Sequence, residues 1–395
     1  MELPSGQPAD ARPRHGPHRP HDHRAAQAGR ARPCRTGRAC GGLILWLLLA
    51  LPVSADTIRL ATYHTELSRA GPGLLLRDIL RGEDEQVAAV TRVIAATAPD
   101  ILLLQGIDHD LEGHALTALA DRLEEAGAIY PYRLALPPNG GVPTGRDLDG
   151  DGRLGMPRDA QGYGRFRGAG GMALLSRHPI GTVRDHSGFL WRDLPDGQAR
   201  DVLSPEALAV QRLASNAAWD VAVEVGGETL RLLTIHATPP VFDGPEDRNG
   251  RRNADELWFW LRQLDGWTPD GVPPPQPPLA IIGVLNADPV AGEARRAALT
   301  AALSHPLLQD PVPQSAGGAE DDDSTDTADW RDPDPGNLRV DYILPSADLD
   351  VTDAGVFWPA RDDPDRPLLG GSDGNGASRH RLVWVDLVLE RAEER

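Results

Sequence analysis

Three aspartates stand at alternate positions in "DLDGDGRLG", Asp147, Asp149 and Asp151, and Gly152 follows them. Carboxylates at positions one, three and five with glycine at six form the oxygen pattern of a calcium loop, whose glycine permits the sharp turn. Arg153 would add its backbone carbonyl at position seven. Position twelve, normally a bidentate Glu, is Arg158, with Asp159 next to it. The expectation is a structural calcium ion held by Asp147, Asp149, Asp151 and Asp159. The residue at position twelve and the lack of flanking helical patterns depart from a helix–loop–helix unit, and a solvated acidic turn is the plainer alternative.

The segment "DILLLQGIDHD" (100–110) raises a different question. Its apolar run, Ile101 to Leu104 with Ile107 beyond a polar pair, suits a central strand covered on both faces. Strands of this kind deliver working side chains at their carboxyl end. There the chain has Gly106, which weakens a strand and presents nothing to a ligand. Two histidines, His236 in "TIHAT" and His380 in "SRHRL", sit beside other apolar runs. Considered alone, each fits a hydrogen-bonded core or edge histidine better than a catalyst.

The elements that must position these residues alternate along the chain. "TIRLATYHTEL" (57–67) reads as the first strand, and "DEQVAAVTRVIAATAPD" (84–100) as a helix that ends at Pro99 and feeds the strand 101–107. A second helix spans 115–127, stopped by Gly127. "GMALLSRHPI" (171–180) is a strand, and "WDVAVEVGGETLRLLTIHAT" (219–238) a hairpin about Gly226-Gly227. An amphipathic helix (252–267) and a proline-rich connector (268–278) lead to the strand 279–289, and the last strands are 339–346 and 380–390. Hairpins mixed with helical crossovers argue for sheets packed face to face with helices outside. The long insertion 137–171 contains the aspartate loop. The acidic, Gly/Pro-rich stretch 315–337 is expected to be a flexible loop.

Residues 1–55 stand apart. An Arg/His/Pro/Ala-rich stretch precedes "LILWLLLALP" (43–52) and the small residues of "VSA" (53–55). The apolar run is well short of the roughly 20 residues that span a bilayer, so it reads as a signal peptide cleaved after Ala55, with export to the periplasm or beyond. Both cysteines, Cys34 and Cys40, lie in this leader, so the remaining chain has no disulfide, thiolate nucleophile or Cys-type zinc site. The leader holds 8 of the 40 basic and 3 of the 58 acidic residues, which leaves 32 basic and 55 acidic residues and a formal charge of −23. That balance repels nucleic acid and suits divalent cations or basic partners.

Seven blocks, "IRLATYHTEL", "PDILLLQGID", "GMALLSRHPI", "LLTIHATPP", "IIGVLNADP", "RVDYILPS" and "ASRHRLVWVDL", run in an order that resembles the endonuclease/exonuclease/phosphatase family, in particular its secreted bacterial branch, across residues 57–389. The resemblance implies an α/β fold, a four-layer α/β sandwich of two packed mixed β-sheets with helices outside, for a domain at 56–391. It also implies phosphate-ester cleavage with Mg²⁺ or a similar ion at one edge of the sheets. By this resemblance His236 matches the family's first histidine, Asn286 the Asn of the "GDLN"-type motif, Asp341 the carboxylate that orients a histidine, and His380 that histidine.

Four other family positions are substituted. His64 replaces an Asn, Gly106 the metal-binding Glu, Val284 the Asp two residues before Asn286, and Arg379 the acid before His380. Gly106 and Val284 offer a cation no ligand, and Arg379 opposes one. The expectation is an inactive or severely impaired phosphoesterase that binds catalytic Mg²⁺ or Mn²⁺ poorly. Two alternatives stay open. Glu66, Asp108 or Asp288, placed on the faces of His64, Gly106 and Asn286, could recruit a metal in a shifted geometry. Otherwise Arg379, His64, His236 and His380 could hold a phosphate-containing small molecule without cleaving it.

Overall fold

The computed structural model describes residues 56–269, 271–330 and 334–389; the expected leader, 1–55, lies outside them. The chain begins with β1 (Asp56–His64), β2 (Ile101–Ile107), β3 (Tyr132–Leu134) and β4 (Gly171–Ser176). It then crosses to a second sheet made of β5 (Ile180–Asp185), β6 (Trp219–Val225), β7 (Glu228–His236), β8 (Leu279–Val284) and β9 (Asp341–Pro345). Finally β10 (Asp350–Val356) and β11 (Val383–Leu389) return to the first sheet. The sheets run β10-β11-β1-β2-β4-β3 and β5-β6-β7-β8-β9. Each is mixed, with one parallel pair inside it, β1 beside β2 and β7 beside β8. The expected two-sheet architecture is therefore present.

Alternation along the strands assigns each side chain to a layer. On β8, Ala280 and Ile282 belong to one large buried cluster that also holds Leu60, Leu102 and Leu103 of the first sheet and Val221 and Val223 of β6. Leu279 and Ile281 point the other way, into a second core beneath the helix Arg248–Leu264, where Trp260 and Leu257 are buried. The helices Leu74–Arg81, Glu85–Thr97 and His114–Glu125 cover the outer face of the first sheet. The second of these starts where Asp84 caps it, its carboxylate accepting the Val87 N–H at 2.8 Å.

The strand geometry brings the site together. β1, β2, β7 and β8 all end at the same edge, and β9 and β11, running antiparallel to their neighbours, begin there. His64, Gly106, His236 and Val284 are thus strand-end residues, and Asp341 opens β9. Register across the second sheet sets His236 opposite Val284 and Val284 opposite Asp341.

One expectation needs correction. The stretch 315–337, expected to be an acidic flexible loop, contains the helix Ala316–Asp321, capped by Ser315, and the buried residues Asp326, Thr327 and Ala328. Ala328 bridges to both Leu338 and His380. Within it Ala328 forms a small cluster with Leu338 and Val340, which follow the segment, and Trp330 packs against them. Backbone and hydroxyl hydrogen bonds hold this segment, which composition does not reveal.

Candidate active site

The best-organised part of the site is the pair Asp341–His380. Asp341, fully buried at the start of β9, contacts His380 Nδ1 through Oδ2 at 2.9 Å and Oδ1 at 3.1 Å. Thr327 fixes the carboxylate from the other side. Its hydroxyl donates to Asp341 Oδ2 at 2.8 Å while accepting the backbone N–H groups of Val340 and Asp341 at 2.9 and 3.0 Å. Trp330 meets the His380 ring edge to face, with centroids 5.4 Å apart. Thr327 and Trp330 come from the acidic segment, and no motif in the sequence marks them.

His380 is one of three clustered imidazoles. His64 stacks on it with centroids 4.4 Å apart, and His236 meets His64 edge-on at 5.0 Å. Neither His64 Nδ1 nor His236 Nδ1, both buried, has a hydrogen-bond partner among the described residues. Burial, reinforced by His380, pushes the His236 pKa down to about 3. Burial and then the neighbouring His380, His236 and Arg379 drive that of His64 well below its usual range. Both rings are therefore neutral at neutral pH.

Gly106 explains the position of His64. β2 bulges against β4 at this residue, since Gln105 pairs with Met172 and Ile107 with Gly171. The φ angle of Gly106 is +67°, the left-handed conformation of a glycine bulge. A Cβ there would stand 2.8 Å from His64 Cε1 and 3.0 Å from Nε2. The glycine does more than omit a ligand: it leaves the volume that the His64 ring occupies. Val284, wholly buried, presents hydrocarbon at the end of β8. Asn286 adopts φ +50° and donates from Nδ2 to the Ala237 carbonyl at 2.7 Å, bracing the ends of β7 and β8.

Arg379 is engaged across the edge. Its Nε donates to Glu66 Oε1 at 3.0 Å, its terminal Nη2 binds the same oxygen, and its backbone N–H donates to Oε2 at 2.9 Å. Burial raises the Glu66 pKa, but these bonds outweigh it and hold the carboxyl below its usual value. Ser378 joins the arrangement, its hydroxyl donating to the His64 carbonyl at 2.7 Å and accepting the His380 N–H at 3.1 Å.

The acids considered as substitute ligands are committed elsewhere. Asp108 accepts the backbone N–H groups of Arg69 and Gly170 at 2.8 and 3.0 Å. Asp288 accepts those of Val290, Ala291 and Arg339 at 2.7, 2.6 and 2.8 Å. The sequence placed them on the faces of Gly106 and Asn286 by strand alternation. The bulge at Gly106 and the left-handed Asn286 break that alternation, and β8 ends at Val284. Likewise Glu66 lies beyond the end of β1 at φ +52°.

The aspartate loop forms a separate group. Oxygens of Asp147, Asp149 and Asp151 lie within 4.8 Å of one another. Asp147 also accepts the N–H groups of Gly150 and Gly152 at 2.7 and 2.9 Å, which holds its carboxyl below the usual range, Gly152 contributing most. Asp159 is not brought into this group. It is buried, with its two oxygens on the N–H groups of Leu148 and Met156, each at 2.9 Å.

A model of the endonuclease/exonuclease/phosphatase family matches residues 78–380. The chain belongs to that family. Among solved structures, an endonuclease/exonuclease/phosphatase from Beutenbergia cavernae DSM 12333 is similar at 19% identity with a TM-score of 0.51, over 84% of this chain and 72% of that one. A family protein from Leptotrichia buccalis C-1013-b aligns at 14% identity and TM-score 0.46, over 84% of this chain and 99% of its own. One from Bacteroides thetaiotaomicron aligns at 15% and 0.47, over 85% and 98%. At these identities the first likeness speaks to the fold alone. No curated protein matches the sequence. Within the family's phosphoesterase fold, Glu66, Asp108, Asp288 and Asp341 are each hydrogen-bonded to other groups of the protein, and Gly106 and Val284 present no side-chain oxygen to an ion such as Mg²⁺.

Proposed function

We propose that this protein is a secreted member of the endonuclease/exonuclease/phosphatase family that has lost Mg²⁺- or Mn²⁺-dependent cleavage of phosphate esters. The observation that carries the reading is the Arg379–Glu66 ion pair. It places a guanidinium where the family has an acid and engages Glu66, a carboxylate at that edge that an ion could otherwise have used. Secretion rests on the apolar run 43–52 and the small residues of "VSA" (53–55). No helix among the described residues is long and apolar enough to cross a membrane.

The alternatives draw less support. A phosphate-holding pocket needs free positive charge, but Arg379 is paired and the His64 and His236 rings are held neutral. An enzyme with relocated ligands would have to strip Asp108 and Asp288 of the backbone donors that fold their loops. The direct test is hydrolysis of a generic phosphodiester and a phosphomonoester by the full chain, with Mg²⁺ or Mn²⁺ added. Rates equal to the protein-free blank are expected. Turnover that rises with either ion and vanishes with chelator overturns the proposal.

A further inference from the structure

We infer that the altered pocket is a nitrogen-donor site for a borderline divalent transition ion such as Zn²⁺ or Co²⁺, held by His64, His236 and His380. The inference rests on the reading that the Mg²⁺ site is gone, and it names what the same edge can bind instead. Imidazole suits Zn²⁺, Co²⁺ and Ni²⁺, whereas Mg²⁺ demands hard oxygen. Replacing an amide by His64 and a carboxylate by Gly106 moves the donor set in that direction.

Three observations support the assignment. First, two imidazoles on one tetrahedral ion, with metal–nitrogen bonds of about 2.0–2.1 Å, have ring centroids about 5 Å apart. His64 lies 5.0 Å from His236 and 4.4 Å from His380. Second, the buried Nδ1 atoms of His64 and His236 lack partners among the described residues, a costly state that an ion bound at those nitrogens would relieve. Third, His380 Nδ1 rests on Asp341, which Thr327 fixes in turn. A carboxylate behind a histidine is the arrangement that orients metal-bound imidazoles and raises their basicity. Glu66 neutralises Arg379, so the adjacent guanidinium adds little net charge against the ion.

The nitrogens of the three rings do not all lie within 4.8 Å of one another as the rings stand. Binding therefore requires an imidazole to turn about its Cβ–Cγ bond, and His64 and His236, neither of them hydrogen-bonded at Nδ1, are the rings that can do so.

The test is titration of the full-length chain with Co²⁺, followed by the visible absorption of tetrahedral, nitrogen-bound cobalt, then displacement by Zn²⁺. A saturable band is expected. His64→Ala and the milder His64→Asn should each weaken binding at least about tenfold, and Asp341→Asn by about 10–100-fold, with circular dichroism confirming that each variant is folded. Absence of the band in the wild type, or a band unchanged by both His64 substitutions and so arising elsewhere, for instance from leader histidines His15, His18, His21 and His23, overturns the inference. Mg²⁺-dependent turnover would remove the preceding proposal without touching the cobalt result, so the two failures are separable.

Discussion

At Gly106 two constraints coincide, a φ of +67° and a neighbouring imidazole where a side chain would begin. Gly106→Ala should cost about 1–3 kcal/mol, combining left-handed strain with overpacking. In a His64→Ala background the clash with the imidazole disappears, leaving the tight approach to the Glu66 backbone nitrogen at 3.1 Å. Urea denaturation of the two single variants and the double should therefore show a favourable coupling of about 0.5–3 kcal/mol; strict additivity would mean that His64 does not fill the glycine's space. His236 offers a second check, in protein free of transition metals. Burial holds its folded pKa near 3, below the 6.5 of the free side chain, so the unfolded chain binds more protons between those values. The stabilising contribution of the neutral ring is complete above about pH 6.5 and declines as pH falls towards 3. The His236 ring protons in NMR should show no titration above pH 5, and a midpoint near 6.5 would contradict the buried, neutral assignment. The sequence did mark these positions, because each substituted residue sits inside an otherwise matching block. That the His64 ring fills the space beside Gly106 was invisible there, since they are neighbours only across β1 and β2.

Element by element, legibility followed burial. β2, buried at every position, stands at 101–107 as its continuous apolar run indicates, and the hairpin β6–β7 turns about Gly226-Gly227. β5 and β10 escaped notice because β5 lies at one sheet edge and β10 at another, and their sequences "IGTVRD" and "DVTDAGV" carry little apolar signal to alternate. The acidic segment escaped for a related reason: Thr327 acts through one hydroxyl, and hydrophobicity does not record that. Thr327→Val should leave the Asp341 carboxylate short of a donor and two backbone N–H groups without their acceptor. A loss of about 1–3 kcal/mol is expected in denaturation. Wild-type stability in that variant would show that the Thr327 bonds contribute nothing. The aspartate loop has its own test. Three carboxylate oxygens within 4.8 Å and exposed to solvent repel one another without a cation. We propose that Ca²⁺ occupies this loop, and at 100 times its dissociation constant it would stabilise the fold by about 2.7 kcal/mol. The melting temperature should rise with Ca²⁺ in the wild type and not in Asp149→Asn; a flat wild-type response removes calcium from the loop.

Across the whole molecule, both sheets still deliver their strand ends to one edge, and the Asp341–His380 pair remains assembled there. If Mg²⁺-dependent chemistry has been lost as proposed, it should be recoverable, but only if neighbours revert together. A glutamate in place of Gly106 would push its Cβ against the His64 ring, so Gly106→Glu, Val284→Asp and Arg379→Asp combined still leave the new glutamate displaced. Adding His64→Asn clears that volume, while Arg379→Asp frees Glu66 and exchanges a cation for an acid. The triple variant is expected to hydrolyse a phosphodiester at the blank rate with Mg²⁺, and the quadruple variant to turn over in an Mg²⁺-dependent way. The quadruple variant should also melt at a higher temperature with Mg²⁺ than without, because an ion bound only by the folded state relieves carboxylates crowded at a buried strand end. If the triple variant matches the quadruple in rate, His64 is no obstacle and the exchange with Gly106 is not what silenced the site. If the quadruple variant neither gains Mg²⁺-dependent stability nor turns over, the retained framework lacks more than those four side chains.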